Sequence, residues 1–167
     1  MKKLLHSIGK KSKKAFSYQI NSKTKDKVLK DYFILIKKNK RSIINENKKD
    51  LRNAFKKGVK LNFINRLILD EKKILGIINS IKEIIKLKDP TNIVLEKWKR
   101  PSGLKISKVS IPIGVIGIIY ESRPNVTSDV AALCFKSGNA VILKGGTEAF
   151  YSNLILSKLF RKSLKKN

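Results

Sequence analysis

The chain holds little of what most often betrays a function. Cys134 is the one cysteine in 167 residues, so no internal disulfide can form, and a reducing, cytoplasmic setting is expected. The one histidine, His6, sits in a lysine-rich terminal stretch with no evident partner. No Cys/His spacing suits a metal, so no metal site is expected, and no Ser-His-Asp set can be recognised. The longest apolar run, 109–120, is interrupted by Ser110 and Pro112 and is too short to cross a bilayer. The opening MKKLLHSIGKKSKKAF is broken by Lys10 and Lys11 before an apolar signal core can form. A soluble protein without membrane attachment is expected.

Acid is also scarce: 12 Asp and Glu stand against 39 Lys and Arg, a net charge of +27. Such charge attracts nucleic acid or anionic lipid. Yet only Arg41, Arg52, Arg66, Arg100, Arg123 and Arg161 are arginine, the residue suited to bidentate recognition of phosphate and guanine. Lys, Ile and Asn, all encoded by A/T-rich codons, are abundant. Compositional drift with lysines on solvated faces explains the balance. A basic nucleic-acid-binding protein is the alternative; the absence of aromatic and basic interleaving speaks against it.

What is present is enough apolar sequence, 41%, to build a core. Residues 1–90 read as a helical segment. Val28, Leu29, Tyr32, Phe33, Leu35 and Ile36 form an apolar stripe at helical period. A third helix is expected from Asn45 or Asn47 to about Gly58, and a short one over 62–69. Asp70-Glu71 opens another, striped by Ile74, Ile77, Ile78, Ile81, Ile84 and Ile85 and stopped by Asp89-Pro90. Residues 91–111 read as a β-hairpin turning at Pro101-Ser102-Gly103. Then 112–167 reads as strand, helix, strand, helix. Ile113–Tyr120 and Ala140–Leu143 are expected to be buried parallel strands. Val130, Ala131, Leu133 and Cys134 are expected to face inward from the first helix, which Gly138 closes. Thr147 is expected to cap the second, with Leu154, Ile155, Leu159 and Phe160 inward. The fold class is α/β: helices, a hairpin and the start of a Rossmann-like parallel sheet. Two parallel strands leave that sheet incomplete, and poor stability is expected from its open edge.

Chemistry concentrates after the strands. Gly114 and Gly117 lie inside the first strand, whereas a dinucleotide fingerprint places its glycines after it; they read as sites of close packing. Glu121-Ser122-Arg123-Pro124-Asn125 follows the strand, where open α/β sheets bind ligands. Pro124 stiffens the turn, and the Asn125 amide either donates to a developing oxyanion or caps the helix. Lys144-Gly145-Gly146-Thr147-Glu148 ends the second strand, as an approach to phosphate or as an ordinary turn. Cys134 lies mid-helix on the apolar face and reads as inert packing.

The segment IPIGVIGIIYESRPNVTSDVAALCFKSGNAVILKGGTEA, with INRL (64–67) and LKDP (87–90) upstream, resembles the aldehyde dehydrogenase superfamily and, more closely, its γ-glutamyl phosphate reductase branch. The resemblance covers essentially the whole chain. It implies NADPH-dependent reduction of L-glutamyl 5-phosphate to glutamate 5-semialdehyde and phosphate, in proline biosynthesis. A cysteine thiolate displaces phosphate, and hydride from the cofactor resolves the thioester. Asn125 matches the oxyanion donor, and Lys144, with Gly145 and Gly146, the cofactor-binding turn. Glu148 matches a ribose-binding glutamate, although it lies four residues after Lys144 where the superfamily commonly spaces the pair by three. Cys134 does not match the nucleophile. Family members are more than twice as long, so the chain looks like their amino-terminal part: a decayed or frameshifted gene, or a piece completed by a separate carboxyl-terminal chain. Taken alone it is expected to be inactive. The hairpin resembles the superfamily's subunit-contact element, which implies a homo-oligomer or an assembly partner.

Overall fold

The computed structural model describes residues 2–18 and 20–167; Met1 and Gln19, both in the segment read as helical, lie outside the described residues. Five helices come first: α1 (Lys2–Phe16), α2 (Ser22–Lys38), α3 (Lys40–Lys56), α4 (Leu61–Leu67) and α5 (Glu71–Lys86). Asn21 caps α2 by accepting from the Thr24 N–H at 2.9 Å, and Asp70 caps α5 by accepting from Lys73 N–H at 2.7 Å. Helix α3 starts at Lys40, earlier than Asn45 or Asn47. Asn39 ends α2, its amide donating to the Leu35 carbonyl at 2.7 Å, and opens α3 without a side-chain bond to that helix's first turn. Asn47 instead lies mid-helix, donating to the Leu67 carbonyl at 2.8 Å and accepting from Leu69 N–H at 2.8 Å.

Strands β1 (Val94–Lys99) and β2 (Lys105–Val109) form the expected antiparallel hairpin, with Trp98 opposite Ile106 and a bulge between Val94 and Glu96. Neither face is covered: Leu95, Trp98, Leu104 and Val109 are all exposed. Strand β3 (Val115–Ile119), helix α6 (Asn125–Lys136) and strand β4 (Ala140–Lys144) follow, and β3 pairs in parallel with β4, Ile119 opposite Lys144. A 3-10 turn (Thr147–Ala149) leads into α7 (Phe150–Lys166).

The expectation of buried strands fails. Ile119 is 82% exposed, Val115 is exposed, and no residue of β4 is fully buried. Apolar sequence on both faces of a strand marks burial only where neighbouring strands and helices are present to supply it. Helix α1 lies along β4 and β3 yet buries none of its own residues.

The main core is shared between the two ends of the chain. Tyr32, Ile36, Ile43, Ile74, Ile77 and Ile81 pack with Leu156 and Leu159 of α7. Tyr32 is wholly buried, stacks edge-on against Phe160 at 4.9 Å, and its hydroxyl meets that of Ser128 at 2.7 Å. Burial raises its pKa far above that of an ordinary tyrosine. In α7, Leu156 and Leu159 face inward as the helix turns, while Leu154 is exposed; in α6, Ala131, Ala132 and Cys134 are buried, while Leu133 is exposed.

The cap of α7 is not Thr147. Asp50, in the third turn of α3, accepts from the N–H groups of Tyr151 (3.0 Å) and Ser152 (2.8 Å). Two lysines also depart from the solvated pattern. Lys25 is 2% exposed and bonded to Asp89 at 2.9 Å; Lys136 is 3% exposed and bonded to Asp26 at 2.5 Å and to the Ile85 carbonyl at 3.2 Å. These pairs fasten α2 to the loop after α5 and to α6.

Four glycines, Gly58, Gly103, Gly114 and Gly138, have the positive φ that favours glycine, and two of them flank the parallel strands. Gly138, at φ +73°, closes α6 as expected, and an added Cβ would lie 3.0 Å from Pro112 Cγ. Gly114, at φ +128°, leads into β3 and donates its N–H to Asn139 Oδ1 at 2.8 Å. Close packing does not account for Gly117, where an added Cβ would meet open space.

Candidate active site

The carboxyl ends of β3 and β4 lie side by side, joined where Tyr120 N–H donates to the Lys144 carbonyl at 3.1 Å. Beyond this edge the Tyr120 hydroxyl meets Thr127 Oγ1 at 2.6 Å, and Thr127 donates to Asn153 Oδ1 at 2.8 Å. Three elements are thereby pinned: the end of β3, the first turn of α6 and the first turn of α7. Burial pushes the Tyr120 hydroxyl pKa up, against the lowering effect of its bond to Thr127.

Gly145 and Gly146 sit against this network. An added Cβ on Gly145 would collide with the Asn153 amide and lie 3.0 Å from the Tyr120 hydroxyl; one on Gly146 would lie 2.6 Å from Glu148 Oε2. Gly145 is therefore a close-approach position, whereas at Gly146 the contact is the end of a flexible side chain that can turn away. Lys144 is exposed at the end of β4, and Glu148 accepts from the Thr147 hydroxyl at 3.0 Å in the 3-10 turn. An exposed ammonium and a half-buried carboxylate beside a glycine turn are chemically suited to the phosphate and ribose hydroxyls of a nucleotide. Next to them a recess of about 230 Å³ is lined by Asp50, Asn53, Lys57, Thr147, Glu148 and Tyr151.

Asn125 is the first residue of α6, and Pro124 precedes it in the αR conformation. Its amide does not cap the helix; it donates to Asp129 Oδ2, one turn on, at 3.2 Å. Only one of its two N–H groups is used there, which leaves a donor for a ligand. Asn125 and Asp129 line an open cleft of about 520 Å³, together with Asn65, Arg66, Lys73 and Arg123. The other oxygen of Asp129, Oδ1, is buried and has no hydrogen-bond partner among the described residues. Sequence reasoning brought Asn125 to this site but not Asp129, Arg66 or Lys73. They come from three helices, and no spacing in the chain joins them.

Cys134 lies elsewhere, on the buried face of α6, 6% exposed. Burial raises its thiol pKa, the opposite of what a nucleophile needs. Among the described residues no group of three or more His, Cys, Asp or Glu could hold a metal ion, and no helix is long and apolar enough to cross a membrane.

No family model matches the chain. A γ-glutamyl phosphate reductase of Nautilia profundicola is 48% identical over 167 residues, covering 100% of this chain and 40% of the relative. The crystal structure of γ-glutamyl phosphate reductase from Thermotoga maritima superposes with a TM-score of 0.91 at 38% identity, over 95% of this chain and 39% of that one. A putative aldehyde dehydrogenase of Bacillus subtilis shares the fold alone, with a TM-score of 0.70 at 18% identity, over 96% of this chain and 33% of that one. The chain spans about two fifths of the length of the reductases it matches. Over its whole length the chain is thus similar to the amino-terminal part of the γ-glutamyl phosphate reductases, and it carries the opening elements of an aldehyde dehydrogenase fold.

Proposed function

We propose that the chain is the amino-terminal part of an NADPH-dependent reductase that converts L-glutamyl 5-phosphate to glutamate 5-semialdehyde and phosphate, in the cytoplasm. The observation that carries this reading is full-length identity of 48% with such a reductase. The placement of Asn125 beside a basic cleft, at the carboxyl end of β3, supports it.

Within that reaction this chain's residues bind and orient. Asn125, steered by Asp129, presents its remaining N–H to the carbonyl oxygen as negative charge develops there. Lys144 and Glu148 hold the cofactor's ribose and phosphate, with Gly145 and Gly146 allowing the backbone to come near. The cofactor, when bound, supplies hydride. No thiolate in these 167 residues can attack the acyl phosphate, because Cys134 is buried with a raised pKa. The nucleophile must come from sequence beyond them, on the same chain or on a separate carboxyl-terminal one. Exposed Leu95, Trp98 and Val109 on the hairpin favour a protein partner, a second copy included.

The test joins this chain to the carboxyl-terminal region of the Nautilia profundicola relative, by fusion or by mixing. We expect glutamyl-phosphate-dependent NADPH oxidation from the joined protein and none from the chain alone. Asn125→Ala should lower kcat by about 10²–10³-fold. Activity of the isolated chain that disappears with Cys134→Ser would overturn the reading. So would an inactive joined protein beside an active parent.

A further inference from the structure

The open cleft between α4, α5 and the start of α6 carries charge of a particular kind. In a chain with 33 lysines and six arginines, two of the six, Arg66 and Arg123, line this one cleft. Drift towards lysine does not place arginines together, and arginine is the residue whose fork matches a carboxylate. Neither guanidinium is in an ion pair or side-chain hydrogen bond among the described residues; Arg66 merely lies over the Phe63 ring at 5.7 Å. Lys73, held to the end of α4 by its bond to the Asn65 carbonyl at 2.7 Å, adds a third cation.

Against these three cations stands one acid, Asp129. Its carboxylate offers about four acceptor positions, and the Asn125 amide uses one. Oδ1 is buried and has no hydrogen-bond partner among the described residues. A buried carboxylate oxygen without a donor is uncommon in folded proteins and calls for one. Three cations that form no ion pair among the described residues, and one under-used carboxylate, line one space and are the complement of a ligand that is anionic but also carries an ammonium.

We propose that this cleft recognises the α-amino acid end of the substrate, with Arg66, Lys73 and Arg123 taking its carboxylate and Asp129 its ammonium. The proposal rests on the function proposed above and assigns the groups that select an amino acid over a simple acid. Asn125, one turn from Asp129 on the same helix, then stands at the reacting end of the bound molecule.

The test is a titration of the isotopically labelled chain, followed by NMR. L-Glutamate is the probe, with glutarate, which lacks the ammonium, 4-aminobutyrate, which lacks the α-carboxylate, and inorganic phosphate as comparisons. We expect saturable shifts at Asn125 and Asp129 with L-glutamate, and affinity about tenfold weaker for each comparison compound. Arg66→Gln or Arg123→Gln should weaken L-glutamate about tenfold. Asp129→Asn should weaken L-glutamate but strengthen glutarate, a reversal that loss of structure cannot produce. Equal affinity for L-glutamate, glutarate and phosphate would reduce the cleft to a general anion patch and overturn the proposal. So would an absence of saturable binding, or an Asp129→Asn protein weakened for both acids alike. If the joined enzyme is active while L-glutamate leaves the cleft unshifted, only this proposal fails. If L-glutamate binds as stated but the joined enzyme is inactive, only the proposed function fails.

Discussion

Asp50 and Ser152, 102 residues apart in sequence, are bound twice: Asp50 Oδ2 accepts from the Ser152 N–H at 2.8 Å and from its hydroxyl at 2.7 Å. With Tyr151 N–H on Oδ1, the carboxylate satisfies donors that the first turn of α7 would otherwise leave bare. Asp50→Ala should cost about 1–3 kcal/mol, read as a lowered urea midpoint with an unchanged slope. Burial outweighs the hydrogen bonds from Ser152 and Tyr151 and raises the Asp50 pKa. Its contribution is therefore full below the unfolded pKa and declines as pH rises through the window up to the raised folded value. Asp50→Asn should remove that slope from the stability profile.

Asp89 titrates in the opposite sense. Burial raises its pKa, but hydrogen bonds from Lys25 and Thr91 outweigh burial and hold it below the ordinary carboxylate range. Its stabilisation is complete above the unfolded pKa of about 3.9 and is lost as pH falls through the lower folded value. Asp89→Asn leaves the Lys25 ammonium buried without its counter-ion and should cost about 3–5 kcal/mol at neutral pH. Replacing both, Lys25→Met with Asp89→Leu, should recover most of that loss. A double-mutant cycle in urea checks both values, and equal losses for the single and the paired replacement would refute the argument.

The thiol of Cys134 should react with a disulfide reagent much more slowly than free cysteine, and at the free rate once urea unfolds the chain. A fast reaction in native buffer would contradict its burial and raised pKa.

The parallel pair should bind an apolar dye. Ile113, just before β3, and Ile119, its last residue, are 85% and 82% exposed. Ile119→Lys should lower dye fluorescence and slow self-association on a sizing column, with little effect on the urea midpoint. An undiminished dye signal would place the sticky surface elsewhere, with the hairpin next to be tested.

Elements whose cause is local were legible in the chain. The isoleucine stripe of α5 and its acidic start at Asp70-Glu71, the Tyr32 stripe of α2 and the closure at Gly138 all follow from neighbours within a few residues. Whatever depends on distant segments was not. Asp50 caps a helix a hundred residues away, and Lys25 and Lys136 are lysines that only tertiary pairing reveals as buried. The strands misled because their apolar faces describe surroundings these residues do not supply. The position of Asn125, at the start of α6 and beside the cleft, was legible from its stiff turn after a strand. Arg66, Lys73 and Asp129 were not, because their meeting depends on how α4, α5 and α6 pack.

The shared core also bears on the order of synthesis. A ribosome releases α2, α3 and α5 well before α7, and until α7 arrives Asp50 faces no N–H, Asn47 lacks its bond to Ser152, and Tyr32 lacks Phe160 and Leu156. The amino-terminal helices must wait, half assembled and with their apolar sides open, for some sixty further residues that first run through the hairpin and β3–β4. During that wait the open apolar sides of α2, α3 and α5 are what makes the unfinished chain prone to associate, and the arrival of α7 is what closes them.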